Sequence, residues 1–484
     1  MRHALLGLEY LPAWSHFNGV KLFNASIDAR IIGEDGSDKG GGLVANAEHA
    51  PGQPFLAVPL DLVLSKERVV QCAKSDAHLK ELLEAAPSLS QAPRTAVLLF
   101  LIYQMTLSSP DCQGHGLWLA NPLADYVQML PHHILLPTFY TTEEMELLVG
   151  TSLADALDQK IVSLEREFDS LKASTAEITW CQKLWWSDTG CLSFEDWKLA
   201  DAMYRSRALE LPRDAGVGMV PVVDMANHAS DDRYNARFEV AEDSGSVLLV
   251  ARDDRTVQHG DEITIMYGCG GACEMVFSYG FLEEHASSAR EVFLSLAIPS
   301  DDPLRMAKTR FAQEAPGVRI YVDGSNQLCW ESTFVWWACV NEEDGLGFRV
   351  QQTLDGEMEL KALWKDNELD AGALRSILSD DPLRDLYSLR AVVMVQERVE
   401  QQGMKLAVSE DDFNNRSLTS ERIRPQVYQT IGRLRTLEIE LLARAYETLE
   451  AEKAAFLESS AVREYLAKGQ QLDEPAGNAP EDVS

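Results

Sequence analysis

Hydrophobic and polar positions change their period several times along the chain. Between residues 17 and 65 the apolar residues fall in short runs punctuated by glycine and proline. Gly33, Gly36 and Gly40-Gly41-Gly42 interrupt them, and Val58-Pro59-Leu60 follows a Pro51-Gly52-Gln53-Pro54 turn, a pattern that predicts strands. From Lys66 the period is helical. Leu79, Leu82 and Leu83 space as one helix face, and Ala96–Met105 reads as a buried helix with Arg94 and Thr95 at its start. Thr141-Thr142-Glu143-Glu144 predicts another, with a threonine cap and an acidic first turn, continued by Met145, Leu147, Leu148 and Leu153. Phe194–Leu209 is a further helical stretch. Strand character returns at Met219–Asp224, Val247–Ala251 and Ile263–Tyr267, the last fed by a His259-Gly260-Asp261 turn and placing Ile263, Ile265 and Tyr267 on one face.

After residue 300 the chain reads as mainly helical. Asp381-Pro382-Leu383 is a helix start, since proline suits the first helical position. Pro425 opens a long segment with Leu434, Leu437, Leu441, Ala445 and Leu449 at spacings of three and four. Gly432 and a weak heptad there favour packing within the chain over coiled-coil dimerisation. Residues 471–484 carry Asp473, Glu474, Glu481, Asp482 and two prolines and read as a disordered acidic tail. Strands, a helical stretch, strands again and then helices are not a βαβ alternation, so the pattern predicts an α+β fold rather than a parallel sheet.

Composition narrows the function. The 484 residues are 46% hydrophobic and 25% charged, ordinary for a globular chain able to bury a sizeable core. Forty-three basic against 76 acidic residues leave a net charge of −33. That balance argues against nucleic acid and against an anionic membrane surface, and favours a basic protein partner. The longest apolar run, near Ala96–Tyr103, falls far short of the ~20 residues of a membrane-spanning helix. Met1–Leu11 lacks the apolar stretch of a signal peptide. Eight cysteines are scattered without a Cys-x-x-Cys pair. Cys269 and Cys273 are the one close pair, and no histidines or further cysteines complete a four-ligand set. No metal site is expected, and the thiols read as reduced, as in a cytoplasmic or nuclear protein.

Four segments carry candidate chemistry. Gly40-Gly41-Gly42 lets backbone approach a ligand closely but lacks the spacing of a dinucleotide or phosphate loop. Tyr204-Arg205-Ser206-Arg207 ends a helix and, alone, also suits a solvated basic turn. Val220-Pro221-Val222-Val223-Asp224-Met225-Ala226-Asn227-His228 is an apolar strand ending in Asp, Asn and His, polar groups that must find partners. Gly260-Asp261-Glu262-Ile263-Thr264-Ile265-Met266-Tyr267-Gly268 and Ser278-Tyr279-Gly280-Phe281 place two tyrosines, each followed by glycine, twelve residues apart.

In order and spacing these segments together resemble the SET-domain protein lysine methyltransferases, most nearly the group typified by the Rubisco large-subunit methyltransferase. Asp224–His228 resembles its D-x-x-N-H signature. Gly260–Tyr267 and Tyr279-Gly280-Phe281 resemble its G-D-E-I-x-I-x-Y and Y-G-F segments. Arg205-Ser206-Arg207, Tyr126–Pro137 and Gly150-Thr151-Ser152 are also similar. The likeness runs over residues 17–285 by motif. Three positions depart from the pattern. Gly41 stands where the group usually has a bulkier residue between two glycines, Lys39 precedes the glycines where an acidic residue is often found, and Ala272 stands seven before Tyr279 where asparagine is often found.

The resemblance implies a SET β-fold, residues 14–65 and 201–290, split by a helical insertion, 66–200. An all-α substrate-binding domain, 300–470, would follow. It implies transfer of a methyl group from S-adenosylmethionine to a lysine of a non-histone protein. A free lysine has a pKa of about 10.4, so holding it neutral at pH 7 costs about 4.6 kcal/mol. A narrow apolar channel beside a sulfonium lowers that cost. Tyr279 and Tyr267 are the implied catalytic residues. Gly40, Gly41, Gly42, Arg207, Asn227, His228, Tyr279 and Phe281 would bind the cofactor, and Arg207, Asp224 and Tyr267 the substrate. The implied partner is a lysine-bearing protein, and the implied state a monomer. Histidine methylation and a catalytically idle SET-fold scaffold are the alternatives.

Overall fold

The computed structural model describes residues 1–33, 38–112, 121–188, 190–212, 216–230, 233–241, 243, 245–268, 270–283, 285–312, 316–352, 358–370, 372–419 and 422–473. Gly36, Cys269 and residues 474–484 of the expected tail lie outside them. The chain divides into two compact units.

The first unit is Met1–Tyr140, Ala156–Cys269 and Met275–Glu284. Its strands are β1 (Lys21–Leu22), β2 (Ala25–Ile32), β3 (Asp38–Ala45), β4 (Pro54–Pro59), β5 (Ala208–Glu210), β6 (Val217–Met219), β7 (Asn227–His228), β8 (Ala236–Ala241), β9 (Ser246–Ala251) and β10 (Glu262–Ile265). They form sheets in the orders β1-β4-β9-β8 and β2-β3-β10-β7, with β5-β6 as a separate pair. The segment expected as a strand over Met219–Asp224 leaves extended structure after Met219 and becomes a short 3-10 turn at Val223–Met225. The helix expected over Phe194–Leu209 ends at Arg205, and Ala208 enters β5. The Pro93–Ser108 helix buries every residue from Thr95 to Thr106, as its unbroken apolar run requires.

One buried carboxylate ties the helices that precede the site. Asp201 has a fully buried side chain. Its Oδ1 accepts from Arg94 Nη2 at 2.7 Å and from Lys160 Nζ at 2.8 Å, and Arg205 Nε lies 3.5 Å from Oδ2. Burial alone pushes this carboxyl up, but Lys160, Arg205 and Arg94 outweigh it and hold the pKa below the ordinary value. Arg205 in turn donates Nη1 to the Phe277 carbonyl at 2.8 Å.

The second unit is Thr141–Asp155, Gly270–Glu274 and His285–Ser484. Thr141 caps its helix reciprocally with Glu144, as expected. That helix stops at Met145 rather than running on to Leu153, and Gly150 adopts a left-handed φ of +91°. Helices make the bulk of the region beyond residue 285. Arg384–Val408 and Pro425–Leu457 pack on each other, burying Leu434, Leu437, Leu441, Ala445 and Leu449 within the chain. The region is not all-α, however. β11 (Glu291–Ser295), β12 (Gly317–Val322) and β13 (Leu328–Glu331) form one antiparallel sheet. β14 (Leu346–Gln352), β15 (Met358–Trp364) and β16 (Asn367–Leu369) form another. Two-residue alternation of burial along β11 explains the first. The β15–β16 hairpin turns on Lys365 and Asp366, both at positive φ, without the Asn-Gly pair that usually announces such a turn. The last helix, Ser460–Asp473, carries regular structure into the first residues of the expected tail.

Glu438 is fully buried in this unit, with Oε2 accepting the Ser152 N–H at 3.0 Å. Burial raises its pKa to about 7, against the opposing hydrogen bonds of Ser152 and the charge of Arg435.

Two outcomes are expected. Asp201→Asn leaves three cations facing a neutral amide, and should cost about 3–5 kcal/mol of stability. Thermal unfolding checks this, and a midpoint equal to that of the parent chain rejects the network as a stabilising tie. Glu438 binds its proton more tightly when folded than when unfolded. Its contribution is therefore complete below its ordinary value of 4.5 and is lost as pH rises through about 7. Glu438→Gln should flatten the fall in urea midpoint between pH 5 and 8, by roughly 3 kcal/mol at the upper end. A slope unchanged by the substitution contradicts the assignment.

Candidate active site

β10 joins the separated motifs. On one side Glu262 and Ile263 pair antiparallel with Val44 and Leu43 of β3, and on the other Thr264 and Ile265 pair parallel with Asn227 and His228 of β7. Gly40, Gly41 and Gly42 therefore lie in a strand of the same sheet as the Asn-His pair, not in a loop. Gly40 has a φ of +78° and open space where a side chain would stand. A methyl group at Gly41 would come within 2.6 Å of Met225 Cε, and one at Gly42 within 2.5 Å of Ile31 Cγ1. A side chain at either position would displace these neighbours.

The Asp-x-x-Asn-His segment is set by a strained residue. Buried Val222 holds a φ of +72°, which for a β-branched residue costs of order 1–3 kcal/mol. The turn at Val223–Met225 follows and delivers Asn227 and His228 to β7. Asp224 Oδ2 accepts from the Tyr126 hydroxyl at 2.7 Å and from Arg207 Nη1 at 3.1 Å, and Arg207 Nη1 also reaches the Asp224 carbonyl at 3.0 Å. Burial and then the charge of Asp224 push the Tyr126 phenol well above its ordinary range. Burial opposes the Arg207 cation, but Asp224, Tyr126 and Tyr267 outweigh it and raise its pKa. Both members of the pair keep a buried atom with no hydrogen-bond partner, Arg207 Nε and Asp224 Oδ1. Asn227 Nδ2 donates to the Gly41 carbonyl at 3.3 Å and to Glu262 Oε1 at 2.8 Å, while Glu262 pairs with Lys39 at 2.9 Å.

The two tyrosines meet beside this corner. The Tyr267 N–H donates to His228 Nδ1 at 3.1 Å and its hydroxyl to the Ala226 carbonyl at 3.0 Å. The Tyr279 hydroxyl donates to the Tyr267 carbonyl at 3.2 Å, and the two rings lie 4.6 Å apart at 38°. Tyr279 ends the Ala272–Tyr279 helix, which Gly280 caps at a φ of +81°. A Cβ at Gly280 would sit 2.2 Å from the Leu135 carbonyl, so glycine is required for Tyr279 to stand here. The Phe281 ring lies 6.2 Å from that of His228. Burial, in first place, raises the Tyr267 pKa, so it remains a neutral phenol.

All ten residues named from the sequence lie in the first unit, on β3, β7, the Asp224 turn, the chain after β10 and at or just past the ends of two helices. Ala272 lies in the second unit, buried, with its N–H on the Ala289 carbonyl. Sequence reasoning assigned no role to Tyr126 or Glu262, although both lie in segments it quoted. A phenol 98 residues from its carboxylate gives no local signal. Among the described residues no group of three or more His, Cys, Asp or Glu side chains is placed to hold a metal ion, and no helix is long and apolar enough to cross a membrane.

No protein-family model matches the chain. It is 28% identical over 373 residues to SET domain-containing protein 8 of Schizosaccharomyces pombe, covering 74% of this chain and 79% of that one. It is 25% identical over 321 residues to the N-lysine methyltransferase setd6 of Xenopus laevis, covering 61% of this chain and 64% of the relative, just under two thirds of its length. The solved structure of Rubisco LSMT bound to AdoMet superposes with a TM-score of 0.63 at 16% identity, over 97% of each chain. The chain thus has the fold of the Rubisco large-subunit methyltransferase, and in sequence it resembles SET-domain proteins and N-lysine methyltransferases.

Proposed function

We propose that the chain is a protein-lysine N-methyltransferase that uses S-adenosylmethionine and acts on a lysine of a non-histone protein. The observation that carries this reading is the convergence of Gly40–Gly42, Asn227-His228, Tyr267 and Tyr279 on one corner of the first unit, with the Tyr279 hydroxyl 3.2 Å from the Tyr267 carbonyl. The residues fit the cofactor's amino-acid end. Both amide hydrogens of Asn227 are engaged by Gly41 and Glu262, which leaves its Oδ1 to accept from an ammonium. Buried Arg207 Nε lacks an acceptor that a carboxylate supplies. The side-chain-free stretch at Gly40–Gly42 admits a ligand against backbone. Bound there, S-adenosylmethionine supplies an electrophilic methyl group.

The chain's own residues do the positioning. The Tyr267 and Tyr279 rings form an aromatic corner that takes an alkylamine and excludes water, which favours its neutral form. Tyr267 stays a neutral donor to the Ala226 carbonyl, and so acts as a wall and not as a base. The Tyr279 hydroxyl oxygen and the Tyr267 carbonyl offer two acceptors for the amine's N–H groups, which leaves its lone pair free, and orientation is the main resource of a site without metal or covalent nucleophile. Tyr126 and Arg207 hold Asp224 from opposite partners, so its position depends on both. The acidic chain, at −33, draws a lysine-bearing segment, an effect that salt weakens. We further propose that it works as a monomer in the cytoplasm or nucleus. Histidine methylation and an idle scaffold are less well supported, since the Tyr279 hydroxyl and the Asn227-His228 corner are both in place.

Incubating the full chain with radiolabelled S-adenosylmethionine and fractionated cell extract should label a protein on lysine. Tyr279→Phe should lower kcat tenfold or more, about 1.4 kcal/mol, with cofactor Kd within twofold of the parent. A variant that methylates at the parent rate removes that hydroxyl from the mechanism. Tyr126→Phe should lower kcat/KM by about tenfold through Asp224 while the circular dichroism spectrum is unchanged. Equal kcat/KM in the two proteins shows that Asp224 needs no such support.

A further inference from the structure

The second unit holds a cavity of about 270 Å³ that the methyl-transfer reading does not use. It is lined by Trp330, Trp336, Phe456, Glu331, Glu452 and Arg375 among others. The two indoles lie 6.4 Å apart at 30°, so a ligand group would meet their outer faces or edges and not enter between them. The Trp330 Nε1 proton is donated to Glu452 Oε2 at 3.1 Å, which fixes ring and carboxylate together. Glu331 bears a second carboxylate, joined to Arg319 at 3.0 Å. Trp336 Nε1 is buried with no hydrogen-bond partner. Arg375 places its guanidinium 5.8 Å from the Trp336 ring centre, so one indole face already receives a cation from within the chain.

Three aromatic rings and the Glu452 carboxylate favour positive charge, Glu331 being engaged by Arg319. Ring faces attract cations, most strongly where water is excluded, and quaternary ammonium groups are held by such aromatic boxes. Ligand pockets for whole small molecules run from roughly 300 to 1,000 Å³, so this smaller cavity suits a single long side chain. The buried indole N–H calls for an acceptor, which a peptide carbonyl provides. We infer that this cavity is a second recognition site, which takes the alkylammonium end of a lysine side chain, methylated or not, on a protein segment. Arg375 competes for it. The site is contained in the second unit and needs no cofactor, so it stands or falls apart from the methyltransferase reading.

The test is isothermal titration of the full chain, without cofactor, using the acetyl-methylamide derivatives of lysine, Nε-trimethyllysine and arginine as probes. The lysine or trimethyllysine probe should bind more tightly than the arginine probe, and the stronger of the two identifies the methylation state preferred. Glu452→Gln keeps an acceptor for Trp330 and removes a charge, and should weaken that binding at least fivefold, as should Trp336→Leu. Arg375→Gln removes the internal competitor and should tighten it severalfold, a gain that misfolding does not produce. Tyr279→Phe, in the other unit, should leave it unchanged. Binding insensitive to Glu452→Gln and Arg375→Gln, or lost in Tyr279→Phe, overturns the inference, as does no binding by either lysine probe.

Discussion

Thr264 and Ile265 pair with Asn227 and His228 on one side of a four-residue strand, while Glu262 and Ile263 pair with Val44 and Leu43 on the other. That strand is the constraint on which the site depends. Its ladder hydrogen bonds fix the register of three stretches separated by up to about two hundred residues. A one-residue slip would send Ile263 and Ile265, both buried, to the opposite face. Glu262 adds a side-chain link across the same strands, accepting from Asn227 and pairing with Lys39. Lys39, the cation before the glycines, is thus partnered by a carboxylate of the neighbouring strand.

Around that sheet the protein concentrates strain and buried charge in a small volume. Val222 sits in a backbone region that β-branched residues avoid. Asp224 and Arg207 each retain an unpartnered atom, and Tyr126 is held far from ionisation. Such groups are costly unless the surrounding structure or a ligand compensates them, and they collect where function needs fixed polarity. The Asp201 network sits one helix away and sets its carboxylate among three cations. It holds Arg205, whose contact with the Phe277 carbonyl reaches the helix that carries Tyr279. Structural support and reactive polarity are therefore adjacent but separate.

The second unit solves a different problem. Its long helices bury a continuous apolar face against each other, and Glu438 shows how far that interior excludes water. The end of β13 and the neighbouring helices line a cavity with aromatic, acidic and basic side chains. Both units thus offer aromatic walls and oxygen acceptors to positively charged groups, consistent with the strongly acidic composition.

The sequence by itself determined the elements whose signals are local. The unbroken apolar run of the Pro93–Ser108 helix, the Thr141 capping box, the start at Pro425 and the turn before β10 are all written in neighbouring residues. The ten site residues were named by the resemblance to SET-domain methyltransferases that the motifs carry, not by local pattern alone. Only the tertiary structure decided what those residues touch. Tyr126 and Asp224 are 98 positions apart, and the need for glycine at 280 comes from the Leu135 carbonyl. The small sheets beyond residue 285 escaped the sequence pattern because β16 is three residues long and its Lys365-Asp366 turn carries no glycine. Periodicity reports which face of a segment is buried. It carries no information about which distant segment buries it, and pairing between strands and between charges supplies that.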